Sequence, residues 1–472
     1  MRNNKFRLAS NAVTTNVTDQ VASFASGLKY EDLPPEVVER AKIITMLTIG
    51  AGVSAKGLPA SDSACAIGRS MGDSELTATL WSDGSKISMA GAAFANGTLA
   101  DLMDWEDCSW TGHPSSGIVP AAWAVGEGLH RSGKDLITAV VVGYDLYQRA
   151  SMVVQPPASW GAKGWGLTSW QSWGAVAAAA KMYGLDPEKM NQAFGFASTC
   201  CSIPGRLHYI TMSDAYHYEF GFRAMDGVLA AEITDMGINN FMDVMDDPYS
   251  HHAHMSTEPR PQWYTKDLGE WWLIMETLIK HWPTNMWIEL PMDVFAALVN
   301  ENDIKAEEVE SVTIDPPPGN RMHYSPDGYS SLVHAQYSVP FMYAAYLLNH
   351  HPGRDWYTRD QLTDPKILEL AARVHPGVQP PQDLGKAFRD FQVGEWTGIT
   401  VTITTKDGRT FTKYQHLPKG HPSNMLTREE AFEQFSTQMT PVYTGEKARE
   451  AFEAFMDLEN CADINELSKY LF

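Results

Sequence analysis

The densest chemistry in this chain lies at residues 96–116, NGTLADLMDWEDCSWTGHPSS. Asp104, Glu106 and Asp107 stand beside Trp105, Cys108 and Trp110, and the run turns through Gly112 into His113-Pro114-Ser115. Acids are costly to bury without partners and indoles are costly to expose, so a segment carrying both suits the edge of an active site. An apolar wall beside a carboxylate or imidazole also moves its pKa toward working pH. His113 suits general acid–base work, because an unperturbed imidazole has a pKa of about 6.5. Asp104 is placed to hold one imidazole nitrogen and fix its tautomer. The competing roles are capping of the next segment for Asp104 and a capping or core position for His113.

A second polar stretch, GRLHYITMSDAYHYEF (205–220), offers Arg206 as an anion-binding group and Tyr216 as a proton donor, with His208 and His217 as neighbours. Structural roles compete for each of them. Trp110, Trp160, Trp165, Trp170 and Trp173 are expected either to wall a pocket or to pack helices. The run SHHAHM (250–255) gathers His251, His252 and His254, but it lacks the HExxH spacing and an evident acidic partner. A polar loop is expected there, and no metal site. No glycine loop with phosphate-cradling spacing occurs, and no cofactor is expected.

The elements that position these residues fall into two patterns. From about residue 17 to 235 the periodicity is helical, with one helix opened by Pro34-Pro35 and ending between Gly50 and Gly57, and others predicted near 88–103, 117–131, 134–151, 171–183, 187–200 and 222–236. The Ala-rich segment GAVAAAAKMYGL (174–185) predicts close helix packing, with Lys181 and Gly184 marking its C-terminal stop. Beyond residue 272, VESVTI (309–314) and GITVTITT (398–405) alternate as strands do, and Asp407-Gly408 predicts a hairpin turn into RTFTKY. Between them, 332–349 and 365–374 read as helices, and helical character returns from 427 to the end. The fold class is therefore mainly α with an α+β insert. The boundaries are a helical domain over 1–272, an α+β domain over 273–420, and a return to the helical domain over 421–472.

Bulk composition narrows the function. The 472 residues hold 36 Lys plus Arg against 57 acids, a formal charge of −21, which argues against nucleic acid or an anionic membrane as partner. Five cysteines (Cys65, Cys108, Cys200, Cys201 and Cys461) form no CxxC pair and suggest a reducing compartment. With no apolar core of signal length in residues 1–20 and no run approaching the roughly 18 apolar residues of a spanning helix, a cytoplasmic chain is expected. Fifteen tryptophans and the Asp104/Asp107 pair also admit a glycosidase, for which paired carboxylates are required.

Motifs in consistent order along the chain carry a resemblance. They include LPPEVVERAK (33–42), the 96–115 run, VVGYDLYQR (141–149), GAVAAAAKMYGL (174–185), GFRAMDGVLAA (221–231) and LIKHWPTN (278–285). TTKDGRTF (404–411), GHPSNMLTREEAFEQF (420–435) and LENCADINEL (458–467) complete the series. The chain resembles the MmgE/PrpD family, which includes 2-methylcitrate dehydratase, cis-aconitate decarboxylase and iminodisuccinate epimerase. The resemblance implies a helical domain made from both chain ends, a smaller α+β lid, an active site between them, and a homodimer. It implies catalytic roles for Asp104, His113 and Lys280, the lysine of LIKHWPTN. It also places Gly166 where the family often has a histidine, Tyr216 where it has a lysine, and Asn285 where it has Cys or His.

The implied chemistry is proton movement on a carbon beside a carboxylate, or protonation of the carbanion left by departing CO2. Lys280 is expected to bind substrate carboxylate or steady the developing charge. Trp110, Cys108, Gly166, Trp165, Arg206, His217 and Asn285 are the expected substrate contacts. Fewer cations and more indole predict a small carboxylic acid with apolar or ring character rather than a tricarboxylate. A lyase is expected, with an epimerase or isomerase, or a non-catalytic ligand-binding protein, as the alternatives.

Overall fold

The computed structural model describes residues 16–109, 112–154, 170–200, 211–249, 251–256, 258–391 and 393–472. The first half is built from α1 (Val17–Gly27), α2 (Pro35–Ser54), α3 (Pro59–Ser70), α4 (Met89–Leu102), α5 (Pro114–Gly128), α6 (Gly133–Val154), α7 (Gln171–Tyr183), α8 (Pro187–Cys200) and α9 (Ala215–Asp235). Proline at the first turn starts α2, α3, α5 and α8, where its missing N–H costs nothing. A two-stranded ribbon, β1 (Thr77–Thr79) with β2 (Lys86–Ser88), precedes α4.

Small residues let these helices touch backbone to backbone. A Cβ on Gly174 of α7 would lie 2.8 Å from the Gly143 carbonyl oxygen of α6, so neither helix tolerates a larger side chain at that crossing. The predicted stop of α7 is present: Gly184 adopts φ 71°, and Lys181 donates to the Ser26 and Leu28 carbonyls at 2.7 and 2.6 Å, tying α7 to the end of α1.

A two-residue pairing, β3 (Asp107–Cys108) with β4 (Leu278–Ile279), joins the helical body to the second half of the chain. Next come α10 (Met286–Asn302), β5 (Val309–Asp315), α11 (Leu332–Gln336), α12 (Val339–Leu348), α13 (Pro365–Ala371), β6 (Val374–Pro376), α14 (Leu384–Phe391), β7 (Ile399–Thr405) and β8 (Thr410–Gln415). The sheet order is β6-β5-β7-β8, with β5 parallel to β6 and the other pairs antiparallel. The hairpin expected at Asp407-Gly408 closes β7 onto β8, with Gly408 at φ 87°. The single helix expected over 332–349 is two helices, because Pro340 enters the first turn of α12 and Ser338 caps it.

The chain ends in α15 (Arg428–Gln438), opened by a Thr427/Glu430 capping box, and α16 (Glu446–Met456). Both pack on α2, and their apolar residues join one large core with those of α1, α2 and α4–α9. A second core gathers α10, α12, α13 and the sheet, and takes in Leu102, Met103, Trp105 and Cys108 from the helical body. The molecule is thus mainly helical with a smaller α+β lid, and the segment after α4 leaves the helical body to pack into the second core. Among the described residues no single helix is long and apolar enough to cross a membrane. The described cysteines Cys65, Cys108, Cys200 and Cys461 are free thiols.

Candidate active site

The end of α4 sets the geometry. Asp101 is fully buried in its last turn, and the Asp104 amide donates to the Asp101 carbonyl at 2.8 Å as the chain leaves the helix. Asp104 itself lies at φ 50°, a left-handed conformation that aspartate adopts more readily than most residues. The chain then extends through Glu106 into β3, and its pairing with β4 lets the Lys280 amide donate to the Glu106 carbonyl at 3.1 Å. Three buried carboxylates and one lysine meet in this way across the two cores.

His113 occupies the N-cap position of α5, but its ring makes no capping bond. Asp107 does that work, accepting from the Ser115 amide at 3.2 Å and the Ser115 hydroxyl at 2.8 Å, with the Tyr144 hydroxyl on its other oxygen. The freed imidazole turns its Nδ1 to two acids, Asp101 Oδ1 at 2.5 Å and Glu106 Oε1 at 2.7 Å. Its Nε2 lies 3.3 Å from the Tyr216 hydroxyl, and its ring stacks on Phe220 at 5.0 Å. The second oxygen of Asp101 takes His217 Nδ1 at 2.6 Å. One aspartate thereby orients two imidazoles, and the Gln171 amide group, donating to the His113 carbonyl, fixes the backbone beneath.

Electrostatics derive from this packing. Burial and the nearby Lys280 ammonium would each depress His113, but Asp101 and Glu106 outweigh them and its pKa is pushed up to about 10. Burial alone would raise Asp101, yet its two histidines hold it well below the usual carboxylate range. Glu106 is raised by burial in spite of Lys280 and His113. Lys280 loses some stabilisation to burial but is raised well above its ordinary value by Asp104 and Glu106. His217 is likewise raised, its burial being offset by the Asp101 hydrogen bond. The sequence predicts an imidazole poised near neutrality; in the structure the His113 pKa is instead raised, because two carboxylates converge on one nitrogen.

His113 and Tyr216 open onto a cavity of about 280 Å³, small-molecule scale, between the α5 and α9 ends of the helical body and the lid. Cys108 and Asn285 also line it. Burial raises the Cys108 thiol, which donates to Met286 Sδ, so it is a wall rather than a nucleophile. Asn285 caps α10 and accepts from Arg321 Nε at 2.9 Å.

Several expectations need correction. Asp104 lies 3.7 Å from His113 Nδ1 and is committed to Lys280, so Asp101 holds the imidazole. Lys280 is 0 % exposed, bound by Asp104 and by Glu106 at 3.0 Å, and does not line the cavity. Among the described residues, Arg321 brings a guanidinium to the cavity wall. His217 faces Asp101, not the cavity. Trp170 and Trp173 are buried in the helical core as packing residues. Trp110, Trp160, Trp165, Gly166, Arg206 and His208 lie outside the described residues.

Asp101 has a sequence signal, an acid in the last turn of an otherwise apolar helix. Arg321, Tyr337 and Trp287 have none, because only the folded lid brings them to the cavity. His252, in the short helix His251–Met255, is buried against Tyr264.

Asp101, Glu106 and His113 could in principle hold a metal ion, since they offer ligand atoms within 4.8 Å of one another. A cation there would have to displace the His113 proton and face the Lys280 ammonium that shares Glu106 Oε1.

A helical body and an α+β lid, with a buried cluster of histidine, lysine and carboxylates beside a small cavity, define a two-domain architecture. Comparison with known proteins gives the particular family. The MmgE/PrpD N-terminal domain matches residues 19–263 and the MmgE/PrpD C-terminal domain matches residues 282–460. The chain belongs to the MmgE/PrpD family. It is 24% identical to a human cis-aconitate decarboxylase over 96% of this chain and 95% of that protein. It is 24% identical to the mouse cis-aconitate decarboxylase over 96% and 93%. To an Aspergillus terreus cis-aconitate decarboxylase it is 22% identical, over 98% and 97%.

Proposed function

We propose that this protein is a lyase that removes CO2 from a small carboxylic acid, with His113 as the general acid. The observation that carries the reading is the pair of carboxylates on His113 Nδ1, which keeps the ring protonated and its Nε2–H directed to the cavity side with the Tyr216 hydroxyl as partner. Decarboxylation asks for this state. The C–CO2 bond breaks, its electron pair stays on carbon as an enolate-like carbanion, and Nε2–H supplies the proton that closes the new C–H bond. The neutral imidazole left behind is reprotonated from solvent, since Asp101 and Glu106 stabilise the cation. Lys280 acts at one remove: its ammonium binds Asp104 and Glu106 side by side, and so holds the frame of His113. The names of the relatives support the lyase class.

Epimerisation is less well served, because it starts with proton removal by a neutral base, and the imidazole at this position holds its proton to about pH 10. The test is CO2 release from a panel of unsaturated and keto acids, run in D2O. The expected product carries one solvent deuterium at the carbon that lost CO2, and His113→Ala slows turnover by about 10²–10⁴-fold. Loss of water without CO2, or a His113→Ala variant with near-normal rate, would sink the reading.

A further inference from the structure

The cavity wall carries information on the substrate beyond its reaction. Arg321 reaches the cavity from the segment after β5, and its guanidinium lies 4.5 Å over the Tyr337 ring. Its Nε donates to Asn285 Oδ1 at 2.9 Å and one terminal nitrogen to Asn320 Oδ1 at 2.6 Å. These two amide oxygens fix the plane of the fork at the cavity wall, an arrangement suited to gripping a carboxylate. Tyr337 and Tyr216, 6.5 Å apart, link Arg321 to His113, whose ring is 5.9 Å from Tyr216. Anion-binding and proton-donating groups are therefore separate stations of one cavity.

Apolar side chains also line this cavity. Trp287, in the first turn of α10, stands edge-on to Phe388 at 4.9 Å. Leu384 lies four residues before Phe388 on the same face of α14, and Met212 and Met286 complete the wall. Lys280, the lysine that the resemblance offered to a substrate carboxylate, is already committed to Asp104 and Glu106.

Resting on the lyase reading, we propose that the substrate is a dicarboxylate with an aryl or branched apolar substituent. One carboxylate is held by Arg321, the other departs beside His113, and the substituent lies against Trp287 and Phe388. Arg321 and the Trp287/Phe388 pair are then specificity-determining residues, one reading charge and the other shape.

The test measures binding without turnover, by calorimetry on the full chain with benzylsuccinate and tricarballylate as probes. Benzylsuccinate binds at least about tenfold more tightly than tricarballylate, since an aromatic contact gains affinity where a third carboxylate pays desolvation. Arg321→Gln weakens benzylsuccinate by about tenfold or more, the size expected for loss of hydrogen bonds to a charge, and Arg321→Lys recovers part of it. Phe388→Ala, at a half-buried position, and Trp287→Ala weaken benzylsuccinate but leave tricarballylate nearly unchanged. Thermal melts identify any variant that fails to fold, and the Phe388 variant then decides. Equal or tighter binding of tricarballylate, equal losses for both probes, or no binding of either overturns the proposal. Binding preference without CO2 release from any acid sinks only the lyase reading. CO2 release from a tricarboxylate with benzylsuccinate ignored sinks only the substrate class.

Discussion

His113 Nδ1 is shared by Asp101 and Glu106, and this one nitrogen decides the chemistry that the ring can perform. An imidazole raised from 6.5 to about 10 is a proton donor through the neutral range. This shift also sets the sign of its effect on stability. A group whose folded pKa is raised contributes most below its unfolded value, and that contribution is lost as pH rises through the folded value. The stability difference between wild type and His113→Gln should therefore be full below about pH 6.5 and shrink as pH rises toward about 10. Nitrogen-15 NMR of the ring should show both nitrogens protonated at pH 7.5, with kcat falling along the same upper limb. A ring that titrates near 6.5 would remove the basis for the acid role. Asp101 and Asp104 are equally plain in the sequence, and the family resemblance points to Asp104. Which of them meets the imidazole depends on a left-handed residue at the end of α4.

At the scale of elements, two residues of strand do most of the positioning. The pairing of β3 with β4 sets Lys280 against Glu106, and the segment before α15 holds β4 from the other side. The Ile279 amide donates to the Gly420 carbonyl at 3.1 Å, while Gly420 sits at φ 82°. A Cβ there would fall 1.8 Å from the Ile279 carbonyl oxygen. Gly420→Ala is therefore expected to cost about 1–3 kcal/mol, from backbone strain and displacement of Ile279. It should also lower activity, because Lys280 is the next residue. Urea denaturation with parallel rate measurements checks this, and an alanine variant as stable and active as wild type would show that β4 is not held as described. Helices such as α7 were legible in the sequence to the residue, since a long Ala-rich run with a glycine stop leaves little choice. The β3–β4 pairing was not, because two residues give no periodicity and their partner lies far along the chain.

For the molecule as a whole, Lys280 is the electrostatic rivet between the two cores. It comes from the strand that leads into the lid, and its partners Asp104 and Glu106 come from the end of the first helical run. Removing it leaves two buried carboxylates uncompensated, so Lys280→Met should destabilise the protein by about 3–5 kcal/mol. Adding Asp104→Asn in that background should recover part of the loss, by removing one of the stranded charges. A Lys280→Met protein with an unchanged urea midpoint would mean that the ion cluster does not bind the cores together. The sequence by itself determined the helical body, the α+β insert, the family and the importance of the 96–116 run, because periodicity, turn residues and ordered motifs are local properties of a chain. Only the tertiary structure decided that Lys280 is a buried counter-ion, that Asp101 rather than Asp104 commands His113, and that Arg321 reaches the cavity. Those assignments depend on distances between residues far apart in the chain and on the low dielectric between them, and neither exists until the two cores close on each other.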